Sequence, residues 1–209
     1  MTGRLPLSEL AARVRAGEPQ LGGTRLVCID GPAGSGKTTL AGRLAAALGS
    51  GTAVVHMDEL FSGWTMAGGV DRLAEGVLEP LAEGRPGAHP RYDWDAGAFL
   101  PELVPVPVPE VLIVEGCGCS PRRLDPWVTL RIWVEAPRAL RTTRGIQRDG
   151  VALTDKWLEW QTRESAVFAA EDTRARADLR VDGAAAGADD AIALLEDTFP
   201  QRGARTMDA

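Results

Sequence analysis

The sequence predicts an α/β fold, a central parallel sheet with helices on both faces. Three observations carry the prediction. Short β-rich runs alternate with helical patterns along most of the 209 residues. A glycine-rich segment at 31–36 follows directly on the first of these runs and opens a helix. The run 111–114 is apolar without interruption, as a strand covered on both faces should be.

Taken in order, residues 8–16 repeat apolar residues at helical spacing behind Ser8, a candidate N-cap, and read as a leading helix. A loop at 17–23 leads to a strand at 25–30, the glycine-rich turn and a helix at 37–48. Residues 52–57 form a second strand, and 70–83 a helical pattern that ends before Pro86 and Pro90. The loop beyond holds Tyr92 and Trp94. Pro105, Pro107 and Pro109 exclude a central strand or a helix there. After 111–114 come a strand at 128–135 and a helix from Pro137, well suited to the N1 position, to about residue 148. A helix at 153–171, a short strand at 179–181 and a final helix at 188–199 complete the pattern, with 200–209 expected to fray. One domain over 1–209 is expected, with residues 137–150 as a helical lid.

Composition narrows the function. Hydrophobic residues at 44% and charged residues at 25% describe an ordinary globule able to bury a core. A net charge of −6 argues against a face that tracks a nucleic-acid polymer. Cys28, Cys117 and Cys119 are too few and odd in number for a disulfide framework, and they suggest a reducing compartment. The N-terminal segment lacks a signal-peptide pattern and no run is apolar enough to span a bilayer, so the expected location is cytoplasmic with no membrane partner. The 23 basic residues are 21 Arg and only Lys37 and Lys156, and Asn is absent. A coding bias explains the surface as a whole. It also draws attention to the two lysines that remain, because a compact ammonium and a planar guanidinium are not equivalent. Nothing in the sequence signals an oligomeric state.

Residues 31–38, Gly-Pro-Ala-Gly-Ser-Gly-Lys-Thr, match the phosphate-binding loop pattern G-x-x-x-x-G-K-[ST]. Chance would produce the match in roughly one such sequence in four hundred, and the strand before and helix after it strengthen the reading. Gly31, Ala33, Gly34, Ser35, Gly36, Lys37, Thr38 and Thr39 are therefore candidate nucleotide-binding residues. Glycines let backbone N–H groups turn inward around phosphate oxygens, and the helix N-terminus adds partial positive charge. Lys37 can reach the β- and γ-phosphates, and the Thr38 hydroxyl can bind Mg²⁺. The fold class sharpens to a P-loop NTPase three-layer sandwich that binds a nucleoside triphosphate.

That loop, with VVHMDELFSGW at 54–64, RYDW at 91–94, VLIVEG at 111–116, RGIQRD at 144–149 and DLRVDG at 178–183, resembles the uridine kinase and phosphoribulokinase-like group of small-molecule kinases. The resemblance implies a sheet order 2-3-1-4-5, ATP as phosphoryl donor with Mg²⁺, a small-molecule hydroxyl acceptor and a mobile lid bearing arginines. It also implies an acidic residue after the second strand, here Asp58, acting on the acceptor hydroxyl. The residues agree, since a carboxylate at the C-terminal end of a parallel strand beside the P-loop faces the ligand crevice; capping the following segment is the alternative. Glu115 ends the run 111–114 where a metal-holding acid would sit, unless it is structural. Arg144 and Arg148, four residues apart on one helix face, can close over a transferring phosphoryl group or belong to a solvated basic face.

This sequence departs from the uridine kinase pattern in informative places. Gly97 stands where the pyrimidine-reading histidine would fall, Leu60-Phe61 replaces the usual phenylalanine-x-tyrosine, and the lid lacks an arginine-glycine-arginine. Phe61, Tyr92 and Trp94 remain candidate substrate contacts, with core packing the alternative for the last two. His56 is expected to pack within its strand, His89 to be exposed, Glu59 to be solvated, and Trp157 and Trp160 to belong to the core. Asp149 should cap the lid or pair with an arginine, and Glu164 should pair with a buried Arg or approach the lid. Cys117 and Cys119 lack the second pair that a zinc site needs. A nucleoside monophosphate kinase using Arg72, Arg85 and Arg91, and an ATPase module without an acceptor, are the competing readings. A GTPase guanine reader needs an Asn, which this chain lacks.

Overall fold

The computed structural model describes residues 3–185 and 190–199. In chain order its elements are β1 (Gly3–Pro6), α1 (Leu7–Ala16), β2 (Arg25–Asp30), α2 (Lys37–Leu48) and β3 (Thr52–His56). A helical stretch follows as α3 (Gly69–Leu73), a π-turn at Ala74–Leu78 and α4 (Glu79–Ala82). Four short strands come next: β4 (Gly87–His89), β5 (Tyr92–Asp93), β6 (Ala98–Phe99) and β7 (Val104–Val106). The second half holds β8 (Val111–Glu115), β9 (Val128–Glu135), α5 (Arg138–Asp149), α6 (Thr154–Glu171), β10 (Leu179–Asp182) and β11 (Ala191–Asp197).

The main sheet runs β1-β11-β10-β9-β2-β8-β3. Its four inner pairings, from β3 to β10, are parallel. In order of appearance those parallel strands lie second, third, first, fourth, fifth, which is the order that the resemblance implies. β2 is central, and its side chains alternate between two buried faces: Val27 and Ile29 pack with α1 and α2, while Leu26 and Cys28 pack with the 69–82 helices and α6. β8 divides in the same way, Ile113 to the first face and Leu112 and Val114 to the second. Each such side chain contributes about 1.5–3 kcal/mol by leaving water. The central strands are therefore rigid, and what projects from their C-terminal ends is held in place. The prolines at 105–109 confine β7 to a two-stranded ribbon with β4 at the side of the sheet.

Two expectations are corrected, and one strand is added. The segment 188–199, expected as a helix, contains β11, which pairs antiparallel with both β10 and β1; residues 188 and 189 lie outside the described residues. Its Ala- and Leu-rich composition suits a helix, but Ile192 and Leu194 bury at a period of two against the sheet, and pairing on both sides overrides propensity. β1 was not anticipated. Ser8 is not an N-cap, because α1 begins at Leu7 behind Pro6 without any side-chain cap. The expected fraying of 200–209 lies outside the described residues. Among the described residues, no helix is long and apolar enough to cross a membrane.

Candidate active site

A cavity of about 970 Å³ opens at the C-terminal ends of the parallel strands, between the P-loop, the 57–64 segment, α5 and α6. Such sheets bind ligands at this end, beside the strand where the order reverses. A second concavity of about 740 Å³, lined by Arg13, Thr129 and Asp178, lies at the opposite end of the sheet. It contains none of the candidate residues.

The loop geometry explains its glycines. Gly31 leaves β2 at φ 142°, and a Cβ there would stand 2.2 Å from the Val134 carbonyl oxygen. At Gly34, φ is 77° and a Cβ would meet the Arg141 carbonyl oxygen at 2.5 Å. Only glycine fits either place. The first-turn N–H groups of α2 have no intrahelical partners, and they open toward the cavity beside Lys37, Thr38 and Thr39, all of which line it. Lys37 is buried, with Nζ donating to the Pro32 carbonyl at 3.0 Å and to Cys117 Sγ at 3.6 Å. Burial alone would lower the ammonium pKa. The nearby carboxylates Glu115, Asp30 and Glu164 outweigh it and leave the pKa raised. Burial pushes the Cys117 thiol up to about 12, so this neighbour is neutral. Ser35 Oγ is buried without a hydrogen-bond partner.

Opposite the loop stands an acidic group. Thr38 Oγ1 donates to Glu115 Oε1 at 3.0 Å, and His56 Nδ1 lies 2.7 Å from the same oxygen. That hydrogen bond raises the His56 pKa against the opposing effect of burial. Asp58 follows β3 in a 3-10 turn and lines the cavity. Its side chain is open to the cavity but flanked by protein elsewhere. That flanking protein, then the charge of Glu115, raises its carboxyl, while His56 and Arg148 pull it down.

Arg144 and Arg148 also line the cavity but do different things. Arg144 Nη1 donates to the Gly34 and Gly183 carbonyls at 3.2 and 3.1 Å. Arg148 pairs with Asp149 at 2.7 Å, and its guanidinium lies 5.7 Å from the Trp157 ring centre. Asp149 also accepts the Trp157 indole N–H at 2.8 Å. Gly145 allows this contact between α5 and α6, since a Cβ would meet the Trp157 ring at 2.4 Å.

No protein-family profile matches the chain. A possible uridine kinase from Bacillus stearothermophilus superposes with a TM-score of 0.61 at 20% identity, covering 83% of this chain and 96% of that one. A protein described as a candidate fructose transport system kinase from Silicibacter sp. superposes with a TM-score of 0.54 at 26% identity, covering 86% and 91%. This chain has the uridine kinase-like P-loop kinase fold.

Within this fold the side of the cavity away from the P-loop is an aromatic wall. Phe61, Trp64, Trp94, Trp157 and Trp160 all line it. Trp64 stands edge-on to Trp94, Trp157 and Trp160 at centroid distances of 5.7, 6.3 and 6.1 Å. Trp157 and Trp160 are buried, as their helical spacing predicts, and are cavity walls as well. Trp94 donates its indole N–H to the Asp58 carbonyl at 3.2 Å, fixing this wall to the acidic segment. Tyr92 is not among the lining residues; it packs behind Trp94 at 5.3 Å and against Phe99 at 5.2 Å. His56 does not pack within its strand, because it ends β3 with its ring at Glu115 and 37% exposed. His89 is buried in β4 rather than exposed.

Two buried acids shape the loop without showing in any motif. Glu164 accepts the Ala33 N–H at 2.8 Å and Arg141 Nη1 at 3.1 Å. Asp30 accepts the backbone N–H groups of Gly31, Gly118 and Ser120 at 2.7, 2.8 and 3.0 Å, tying the loop to the segment after β8. Burial raises its pKa to about 6 against these bonds and the charge of Lys37. The only sequence signal for Glu164 is a carboxylate interrupting an apolar helical stripe; Asp30 merely ends a strand.

Proposed function

We propose that this chain transfers the γ-phosphoryl group of ATP to a hydroxyl of a small metabolite. The observation that carries the reading is that one cavity is lined by both Lys37 and Thr38 of the P-loop and by Asp58 across from them. Lys37 places a fixed positive charge at the β- and γ-phosphates, and the amides opening α2 receive phosphate oxygens. Thr38 Oγ1 and Glu115 Oε1, 3.0 Å apart, are hard oxygen donors of the kind Mg²⁺ takes. Bound Mg²⁺ would neutralise charge on the β- and γ-phosphates. Asp58 hydrogen-bonds the acceptor hydroxyl and takes its proton as the oxygen bonds to the γ-phosphorus and the bridge to ADP breaks. The raised pKa of Asp58 suits a base better than an ordinary surface carboxylate would. Arg148, facing Asp58 from the lid, is placed to offset charge on the phosphoryl group, and Arg144 to hold the lid on the loop.

A hydroxyl acceptor is favoured over a nucleoside monophosphate. Arg72 is engaged by the Leu60 and Ala67 carbonyls and the Ser62 hydroxyl, and neither it nor Arg85 nor Arg91 lines the cavity. The two similar structures, one described as a possible uridine kinase and the other as a fructose transport system kinase, point to no single acceptor. The test is ADP release in a screen of nucleosides, sugars and other alcohols, with Asp58→Asn as control. The variant should keep ATP affinity and lose transfer by roughly 10²–10⁴-fold. Loss of ATP affinity to the same extent would remove Asp58 from the role of base.

A further inference from the structure

Resting on the kinase reading above, we propose that the acceptor is a neutral polyhydroxylated ring, a sugar or cyclic polyol, stacked on the tryptophan wall and held by Lys156. Two independent features lead there. The first concerns what the acceptor compartment can recognise. Beyond the P-loop, its walls are indole and phenyl rings interspersed with ionic groups: Asp58, Asp95, the Arg148–Asp149 pair and Lys156. Neutral amide, imidazole and phenol side chains are absent from the lining. A nucleobase edge alternates hydrogen-bond donors and acceptors, and the neutral amides that offer both from one side chain are missing here. The indole N–H of Trp94 is committed to the Asp58 carbonyl, so its exposed ring presents apolar surface to a ligand, while Trp157, its N–H held by Asp149, backs the wall from within. Hydroxyl groups, which donate and accept at once, suit a mixture of carboxylates and one ammonium. The C–H face of a saturated ring suits the positive-edge, negative-face electrostatics of indole. Asp58, Asp95 and Asp149 against Arg148 and Lys156 leave these walls one net negative charge, which disfavours an anionic ligand.

The second feature is Lys156. Of 23 basic residues only two are lysine, and both line this one cavity. Lys37 has its place in the P-loop. Lys156 lies in the first turn of α6 beside Trp157, exposed at the cavity mouth, with no ion pair to a carboxylate. A chain that uses arginine almost everywhere keeps a compact, rotatable three-donor head at this place, and such a head can reach adjacent hydroxyls that a planar fork would span poorly. The reaction is unchanged: the ring hydroxyl oxygen takes the phosphoryl group, its proton passes to Asp58, and ADP leaves.

The test measures ADP release with neutral aldoses, ketoses and cyclic polyols against nucleosides, together with MgATP affinity by calorimetry. Trp94, 41% exposed, and Lys156, exposed, can both be replaced without opening the core. At least one neutral sugar or polyol should be phosphorylated in preference to every nucleoside. Trp94→Leu and Lys156→Arg should each raise its KM about tenfold while leaving MgATP affinity within twofold. A nucleoside as the preferred acceptor, turnover of no sugar or polyol, or an unchanged KM in both variants would overturn the assignment. Absence of MgATP binding would instead overturn the kinase reading on which it rests.

Discussion

Replacing Glu164 by alanine should destabilise the protein by about 3–5 kcal/mol, because it leaves a buried guanidinium and a buried amide without their acceptor. Glu164 is 1% exposed and the Arg141 side chain 12% exposed, so solvent can compensate little. The carboxylate accepts from Ala33 N, Arg141 Nη1 and the Cys117 thiol at 2.8, 3.1 and 3.4 Å. Three partners from the P-loop, α5 and the segment after β8 would be released together. For a chain of this size the loss amounts to a fall of roughly 6–20 °C in Tm. Glu164→Gln keeps one acceptor but turns an amide toward one of the donors, so its cost should be smaller, about 1.5–3 kcal/mol. Removing both charges with Glu164→Leu and Arg141→Leu should recover part of the alanine loss. Urea denaturation of the three variants, with the m-value checked against wild type, measures the series. An alanine variant within about 1 kcal/mol of wild type would refute the claim that Glu164 fastens the loop to α5.

Gly31→Ala should weaken MgATP binding at least about tenfold and destabilise by roughly 1–3 kcal/mol, since its Cβ would occupy the space of the Val134 carbonyl at a strained φ; calorimetry and thermal melts check both. Because Asp58 must be ionised to take a proton and burial raises its pKa, the acidic limb of kcat should be displaced upward from where an unperturbed aspartate would put it, and Asp58→Asn should abolish it. Asp30 gives a stability prediction of defined sign. With its pKa raised to about 6 by burial, the folded state binds the proton more tightly than the unfolded one, so stability should fall as pH rises from about 4 to about 6, by roughly 3 kcal/mol. Asp30→Asn should remove that slope in pH-dependent denaturation, and a slope of opposite sign in wild type would contradict the buried-acid account.

The central strands and the placement of the P-loop were legible because each rests on local chemistry, whereas the order of the strands came only through the resemblance to the uridine kinase-like group. A doubly covered strand must be continuously apolar, as 111–114 is, and a loop that turns its amides inward must use glycine. β11 was not legible, because its alanines and leucines suit a helix when read alone and become a strand only when β10 and β1 flank it. The misreadings of His56 and His89 have the same origin: position along a strand does not say which neighbour a ring meets. Trp157 and Trp160 were legible as buried but not as cavity walls, since periodicity marks an inward face without saying whether that face closes. Glu164 and Asp30 hold backbone N–H groups 131 and up to 90 residues away along the chain, and no local spacing announces such partners.

The central claim is that the loop at 31–38 and Lys37 grip the polyphosphate of ATP. Calorimetric titration of the wild-type protein and of Lys37→Ala with MgATP tests it most directly. Saturable one-site binding in the wild type, lost in the variant, is the predicted result; no heat from the wild type, or equal affinity in both proteins, would contradict it.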